Sequence, residues 1–245
     1  MVKVRYEEML PHEIVEARTK TPIAYLPIGG VEWHGEHLAV GNDALKVHAL
    51  AVQAAERGGG LVFPPLFYGE NREGSLMEFD NDPEGKIAEK IGLPKENFKP
   101  GYMHKPSYQQ DAFYIELLIH ILYETESLGF KVTVILAGHY PLLRHAREAV
   151  KEYSKTGKAK VWAISGYDIV KDVIPDAGDH AAKWETSLLM ALRPDCVDMS
   201  RLPKDKNIPL IGVSRALGID PLKSTPMINK LILINTILEI LDRSW

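Results

Sequence analysis

Residues Ile23 to His37 form the segment IAYLPIGGVEWHGEH, which carries the strongest structural signal in the chain. It begins with the apolar run Ile23–Ile28, which predicts a buried β-strand. Glu32 and His34 follow the end of this strand, and Asp43 comes soon after them. Because residues two apart in an extended chain point to the same side, Glu32 and His34 could face one ion. The stretch therefore predicts a strand whose end presents candidate metal ligands.

Strand and helix signals alternate along the rest of the chain, which is typical of an α/β fold with a mostly parallel sheet. The predicted strands are Ile23–Ile28, Leu61–Phe67, Val132–Ala137 and Val161–Ser165. Amphipathic patterns predict helices over Ala44–Arg57, Ala112–Leu128 and Leu142–Lys155, an apolar helix over Ser187–Leu192 and a last helix opened by Ser224-Thr225-Pro226.

One polar segment interrupts this alternation. Gly69–Gln110 is rich in glycine, proline, asparagine and glutamate, and its only periodic part is a possible short helix at Ile87–Ile91. We interpret it as an insertion, at about residues 69–110, in a single domain that spans residues 1–245. Segments of this kind often serve as lids or binding elements, but a surface excursion or an oligomer contact is an equally open interpretation.

Composition excludes several classes of protein. A length of 245 residues suits one α/β domain, and a net charge of −4 gives no sign of a nucleic-acid or membrane partner. Apolar runs are far too short to span a bilayer, and Met1–Leu10 lacks the apolar core of a secretory signal. The single cysteine, Cys196, rules out an internal disulfide, so we expect a reducing compartment, the cytoplasm.

Further candidate ligands follow later strands. His139 comes directly after Val132–Ala137, and His180 and Glu185 flank the start of the apolar helix. Because sites in α/β folds form outside the carboxyl ends of the strands, these side chains are expected to meet those of the first motif. The predicted metal-binding set comprises two imidazoles and three carboxylates, namely Glu32, His34, Asp43, His139 and Glu185.

This mixture of imidazole and carboxylate groups suits Zn²⁺, Mn²⁺ or Fe²⁺ better than Ca²⁺ or Mg²⁺. Five ligands exceed the roughly three that a catalytic zinc takes from protein, but they suit two ions about 3.5–4 Å apart that share a carboxylate. A water held by such ions ionises near pH ~7, and the resulting hydroxide could attack an amide carbon.

Each residue also has a purely structural interpretation. His139 could be a hydrogen-bonded turn residue, Glu185 an acid in the first turn of its helix, and Asp43 the N-cap of the helix from Ala44. A single zinc ion with the remaining acids outside its coordination sphere is another alternative. The hypothesis of a two-ion site rests on the conjunction of these residues along the chain.

Three ordered motifs resemble those of the creatininase (creatinine amidohydrolase) family. The first runs from Leu26 to Leu38 with Asp43, the second is Gly138-His139, and the third is Gly178–Ala181 followed by Glu185-Thr186-Ser187. The resemblance implies a three-layer α/β/α sandwich with a mostly parallel central sheet and two divalent metal ions. It implies proton transfer by His180 as the catalytic residue. It also implies one ion on Glu32 and His139, a second on His34 and Glu185, and Asp43 as their bridge.

The resemblance further implies a metal-dependent amidohydrolase. Such an enzyme hydrolyses a C–N bond of a small cyclic amide, lactam or formamide by a metal-bound hydroxide, and its relatives assemble as homo-oligomers, including hexamers. The chain departs from the family pattern at Pro141, where creatinine-hydrolysing members carry a ligating glutamate, and at Tyr68–Gly74. A divergent relative that binds a small ligand as a homo-oligomer without catalysis is therefore the alternative.

Overall fold

The computed structural model describes residues 3–170, 178–205 and 208–213, so the predicted helix at Ser224-Thr225-Pro226 lies outside the described residues. Its centre is a four-stranded parallel sheet in the order β2-β1-β3-β4. The strands are β1 (Ile23–Ile28), β2 (Leu61–Val62), β3 (Val132–Ala137) and β4 (Lys160–Ser165). β1 and β3 are buried along their full lengths, which explains their continuous apolar sequences.

The predicted bounds of β1 and β3 are confirmed, but the prediction for β2 was too long. The strand ends at Val62 instead of Phe67. Pro64 and Pro65 follow, and proline has no N–H with which to continue the ladder of hydrogen bonds. The chain regains the sheet only at Leu66, through an isolated parallel bridge to Ile28.

Eight α-helices connect and flank the strands in the described part of the chain. They are α1 (Pro11–Lys20), α2 (Asn42–Gly58), α3 (Met77–Asp80), α4 (Lys86–Lys90), α5 (Ser107–Ser127), α6 (Tyr140–Tyr153), α7 (Gly166–Val170) and α8 (Lys183–Leu192). Short 3₁₀ turns occur at Tyr6–Glu8, Lys95–Phe98, Pro194–Cys196 and Met199–Arg201. None of the described helices combines the length and the apolar character needed to cross a membrane.

The helices form layers on both faces of the sheet. Leu50 of α2 and Leu188 of α8 belong to one core with Val134 of β3. Leu118 of α5 and Leu142 of α6 belong to the other core, which covers the opposite face. The predicted three-layer α/β/α sandwich with a parallel sheet is thereby confirmed.

Two glycines bring α2 against the ends of the central strands. Gly29 and Gly138 directly follow β1 and β3, whose last residues are partners in the sheet. A Cβ at Gly29 would lie 2.3 Å from the backbone N of Ala44, and one at Gly138 would lie 2.0 Å from the carbonyl O of Asp43. Since only glycine permits this approach, the pair fixes Asp43 beside both strand ends.

Candidate metal centre

The structure brings together all five residues predicted from the sequence as metal ligands. Two follow β1, one lies in the first turn of α2, one follows β3, and one lies in the first turn of α8. All of them are at most 5 % exposed. The five are Glu32, His34, Asp43, His139 and Glu185.

Their ligand atoms form two groups that share Asp43. His139 Nδ1 lies 3.0 Å from Asp43 Oδ2 and 3.1 Å from Glu32 Oε1. His34 Nε2 lies 3.2 Å from Asp43 Oδ1 and 3.5 Å from Glu185 Oε2. Within each group the ligand atoms all lie within 4.8 Å of one another, close enough to surround one ion.

Two unpartnered atoms show that the donors suit a divalent cation. Glu32 Oε1 and His34 Nε2 are buried and make no hydrogen bond of normal geometry with the residues that the structure describes, although His139 Nδ1 and Asp43 Oδ1 lie 3.1 and 3.2 Å away, respectively. Buried polar atoms are normally paired, so such atoms facing one another need an explanation. Carboxylate oxygen and imidazole nitrogen are ligands that Zn²⁺, Mn²⁺ and Fe²⁺ accept, and the residues therefore fit such an ion.

Backbone groups orient three of the donors. His34 Nδ1 lies 3.2 Å from the carbonyl of Glu32, which can only accept, so this nitrogen carries the hydrogen and Nε2 faces the carboxylates. The Met77 amide donates to Glu32 Oε2 at 3.1 Å, and the Ala181 amide donates to Glu185 Oε2 at 2.8 Å. Such outer contacts hold ligands in a binding orientation.

The carboxylates change the pKa of both imidazoles. Burial opposes their charged forms, but Asp43 and its neighbours outweigh it and raise the pKa of His34 to about 9 and that of His139 to about 10. Imidazole binds metal only in its neutral form. Each divalent ion that binds one of these imidazoles would therefore displace its proton, and the affinity for the ion would rise with pH.

His180 lies at the edge of the same cluster. Its Nε2–H donates to the carbonyl of Trp33 at 2.8 Å, so Nδ1 is the nitrogen with a free lone pair, 3.5 Å from Glu32 Oε1. The ring stacks on His34 with centroids 4.4 Å apart. Burial and the charge of His34 lower the pKa of His180, which keeps the imidazole neutral near pH 7. Its Nδ1 can therefore accept a proton, and it also lies near enough to Glu32 and His34 to act as a ligand.

Lys46 is the main member of the cluster that the sequence interpretation missed. It lies one turn after Asp43 on α2, and its Nζ contacts Asp43 Oδ1 at 2.7 Å and Glu185 Oε1 more closely still. The (i, i+3) spacing from an acid was its one signal in the sequence. The alternative role of Asp43 as an N-cap is wrong, because α2 begins at Asn42 and is preceded by Gly41.

Asp179 positions the start of α8. Its carboxylate accepts hydrogen bonds from the amides of Trp184 and Glu185, at 2.7 and 3.2 Å. Burial and the charge of Glu185 raise the pKa of Asp179 to about 6. Asp179, a residue of the third motif, therefore stabilises the first turn of α8, which places Glu185 in the cluster.

Replacing Asp179 with alanine should lower the free energy of unfolding by about 1–3 kcal/mol, because two buried amides lose their acceptor. Urea denaturation monitored by circular dichroism measures this change. Asp195→Ala is the matched control, since it removes an exposed carboxylate that pairs with Arg193 and should leave the midpoint unchanged. Equal stability of the two variants would show that Asp179 has no such role.

A cleft of about 240 Å³ opens above the cluster. His180, Tyr140 and several of the donors line one side. Ser75, Met77 and Asn81 line another, and they belong to the segment expected as an insertion. This polar segment therefore supplies part of the wall beside the candidate site.

Comparisons with a family model, a related sequence and solved structures agree with one another. The family model for Creatininase, described as creatinine amidohydrolase, matches residues 7–79 and 107–225. A creatinine amidohydrolase from Pseudomonas putida is 29% identical over 200 residues, which cover 74% of this chain and 68% of the relative. A crystal structure of creatinine amidohydrolase (creatininase) superposes with a TM-score of 0.69 at 22% identity, covering 100% of this chain and 98% of the other. A mutant creatininase of the Zn–Zn type superposes with a TM-score of 0.68 at 22% identity, covering 99% and 98%.

Proposed function

Because this chain belongs to the creatininase family, we propose that it is a metal-dependent amidohydrolase that hydrolyses a C–N bond of a small cyclic amide or formamide. The observation that carries the proposal is the convergence of five buried donors, with Asp43 shared between their two groups, at the floor of an open cleft. The relative from Pseudomonas putida, a creatinine amidohydrolase, supports the same class of reaction.

The donors offer two positions for divalent ions of zinc, manganese or iron. One position is formed by Glu32, Asp43 and His139, and the other by His34, Asp43 and Glu185. A bound ion would supply a Lewis acid for the substrate carbonyl and lower the pKa of a water to about 7. A related mutant creatininase is of the Zn–Zn type, which supports zinc as a metal for this site.

In this proposal His180 moves the proton. Its Nε2–H is fixed on the Trp33 carbonyl, so proton uptake occurs at Nδ1, which faces the donor cluster. The neutral imidazole accepts a proton as water attacks the amide carbon, and the imidazolium then donates it to the leaving nitrogen. Buried carboxylates close to Nδ1, such as Glu32, stabilise the charged form between these two steps.

The size of the cleft limits the substrate. Its volume of about 240 Å³ lies below the range of about 300–1,000 Å³ typical of pockets for drug-sized ligands. The residues that line it include Tyr140 and Asn81, whose polar groups can contact an amide. A compact amide or formamide therefore suits the site better than a peptide.

Removal of metal should abolish hydrolysis. Protein treated with a chelator and freed of it by gel filtration is expected to lose at least about 100-fold in turnover on a panel of lactams and formamides, because the Lewis acid and the activated water are lost together. Adding back Zn²⁺, Mn²⁺ or Fe²⁺ should restore the rate.

Untreated protein passed through the same column is the control. Hydrolysis that survives complete metal removal would contradict the proposal. Metal-loaded protein that binds panel compounds and hydrolyses none would instead support the alternative of a binding protein without catalysis.

A further inference from the structure

Lys46 places a buried cation inside the donor cluster. Its side chain is 4 % exposed, and its ammonium contacts the carboxylates of Asp43 and Glu185. The ring of Tyr140 lies beside it, with Nζ 6.0 Å from the centroid. Lysine is almost never fully buried unless it is paired, so these contacts hold the ammonium in place.

The ammonium makes the two metal positions unequal. Asp43 Oδ1 accepts hydrogen bonds from Lys46 Nζ and, at 3.1 Å, from Asn42 Nδ2, and it also lies 3.2 Å from His34 Nε2. Asp43 Oδ2 has one such neighbour in the described chain, His139 Nδ1. The position formed with His34 and Glu185 therefore already holds the Lys46 ammonium, a fixed cation. Among the described residues, the position formed with Glu32 and His139 holds only an imidazole, which can lose its proton and bind a metal.

The charge balance of the site also favours a single divalent ion. The two donor groups contain three carboxylates, those of Glu32, Asp43 and Glu185, and the Lys46 ammonium offsets one of them. The nearby carboxylate of Asp179 accepts hydrogen bonds from the amides of Trp184 and Glu185. The two remaining negative charges of the donor groups match a single divalent ion. A second divalent ion would leave an excess of positive charge in a buried site, which is costly.

We propose that the Lys46 ammonium takes the place of a second ion at the His34–Asp43–Glu185 position, and that the chain holds one divalent ion tightly, at the Glu32–Asp43–His139 position. This inference rests on the proposed function. Of the two positions that the donors offer, one then holds a divalent ion and the other holds the fixed ammonium, in place of the pair of ions that the family resemblance implies. Lys46 is thus a residue that sets metal stoichiometry.

Metal content tests the role of Lys46 without reference to activity. Wild type, Lys46→Met and Lys46→Arg are stripped with a chelator, reloaded with excess Zn²⁺ or Mn²⁺, passed through gel filtration and subjected to elemental analysis. We expect one ion per chain in wild type, two in Lys46→Met, which keeps the side-chain length without the charge, and one in Lys46→Arg. Titration with Zn²⁺ should show a second site that is on the order of 100-fold weaker in wild type than in Lys46→Met.

Two tightly held ions in wild type, or one ion in both wild type and Lys46→Met, would overturn the inference. If Lys46→Met does not fold, the wild-type titration decides, because two sites of similar affinity contradict a competing ammonium. Failure of the proposed function gives a different result: wild type would bind no divalent metal, or would bind it and hydrolyse no amide.

Discussion

Replacing Asp43 with alanine is expected to remove all tightly bound divalent metal and to reduce amide hydrolysis by more than about 100-fold. Its two carboxylate oxygens face the two donor groups separately, Oδ2 toward His139 and Oδ1 toward His34. Loss of an outer contact to a metal ligand typically costs about 10–100-fold, so loss of the shared ligand itself should cost more. Elemental analysis and turnover on the same preparation measure both effects.

Asp43→Asn provides the matched control for folding. It preserves the size of the side chain and one carbonyl oxygen but removes the charge that both groups share. We expect a folded protein, as judged by circular dichroism, with greatly weakened metal binding. An Asp43→Ala protein that keeps its full metal content would refute the role of Asp43 as the common ligand.

Replacing His180 with alanine should lower turnover by about 10²–10⁴-fold while leaving metal content unchanged. The side chain is anchored on the Trp33 carbonyl and directs only Nδ1 toward Glu32, as expected for a group that transfers a proton. His180 also lies close enough to Glu32 and His34 to be a metal ligand. Measuring kcat and metal stoichiometry on the same variant distinguishes a role in proton transfer from a role in metal binding.

His120→Ala is the control for this variant, because His120 lies exposed on α5, where it pairs with Glu124. It should hydrolyse substrate at the wild-type rate. Normal turnover in His180→Ala would exclude His180 from proton transfer, and loss of metal together with turnover would identify it as a ligand.

The fold was largely predictable from the sequence because its central strands are buried on both faces. Ile23–Ile28 and Val132–Ala137 are continuous apolar runs, and both match the observed strands. Helix α1 was not predicted, because its sequence places few apolar residues on one face. Pro11 at its first turn and Glu13, which accepts the Leu10 amide at 2.7 Å, were the signals that could have located it.

The residues of the candidate site could be predicted from the sequence, but the contacts among their side chains could not. Strand ends in a parallel sheet meet at one edge, and this brought Glu32 and His139 together as expected. The contact of Lys46 with Glu185 joins residues far apart in the chain, and no local pattern encodes it. The support that Met77 gives to Glu32 comes from a short helix in a segment without strong periodicity.

Anomalous diffraction from crystals of the Zn²⁺-loaded protein would show where the divalent ion binds. We expect a zinc peak within coordination distance of Glu32, Asp43 and His139. Crystals in which zinc lies only away from these three side chains, or in which no zinc is bound, would contradict this expectation.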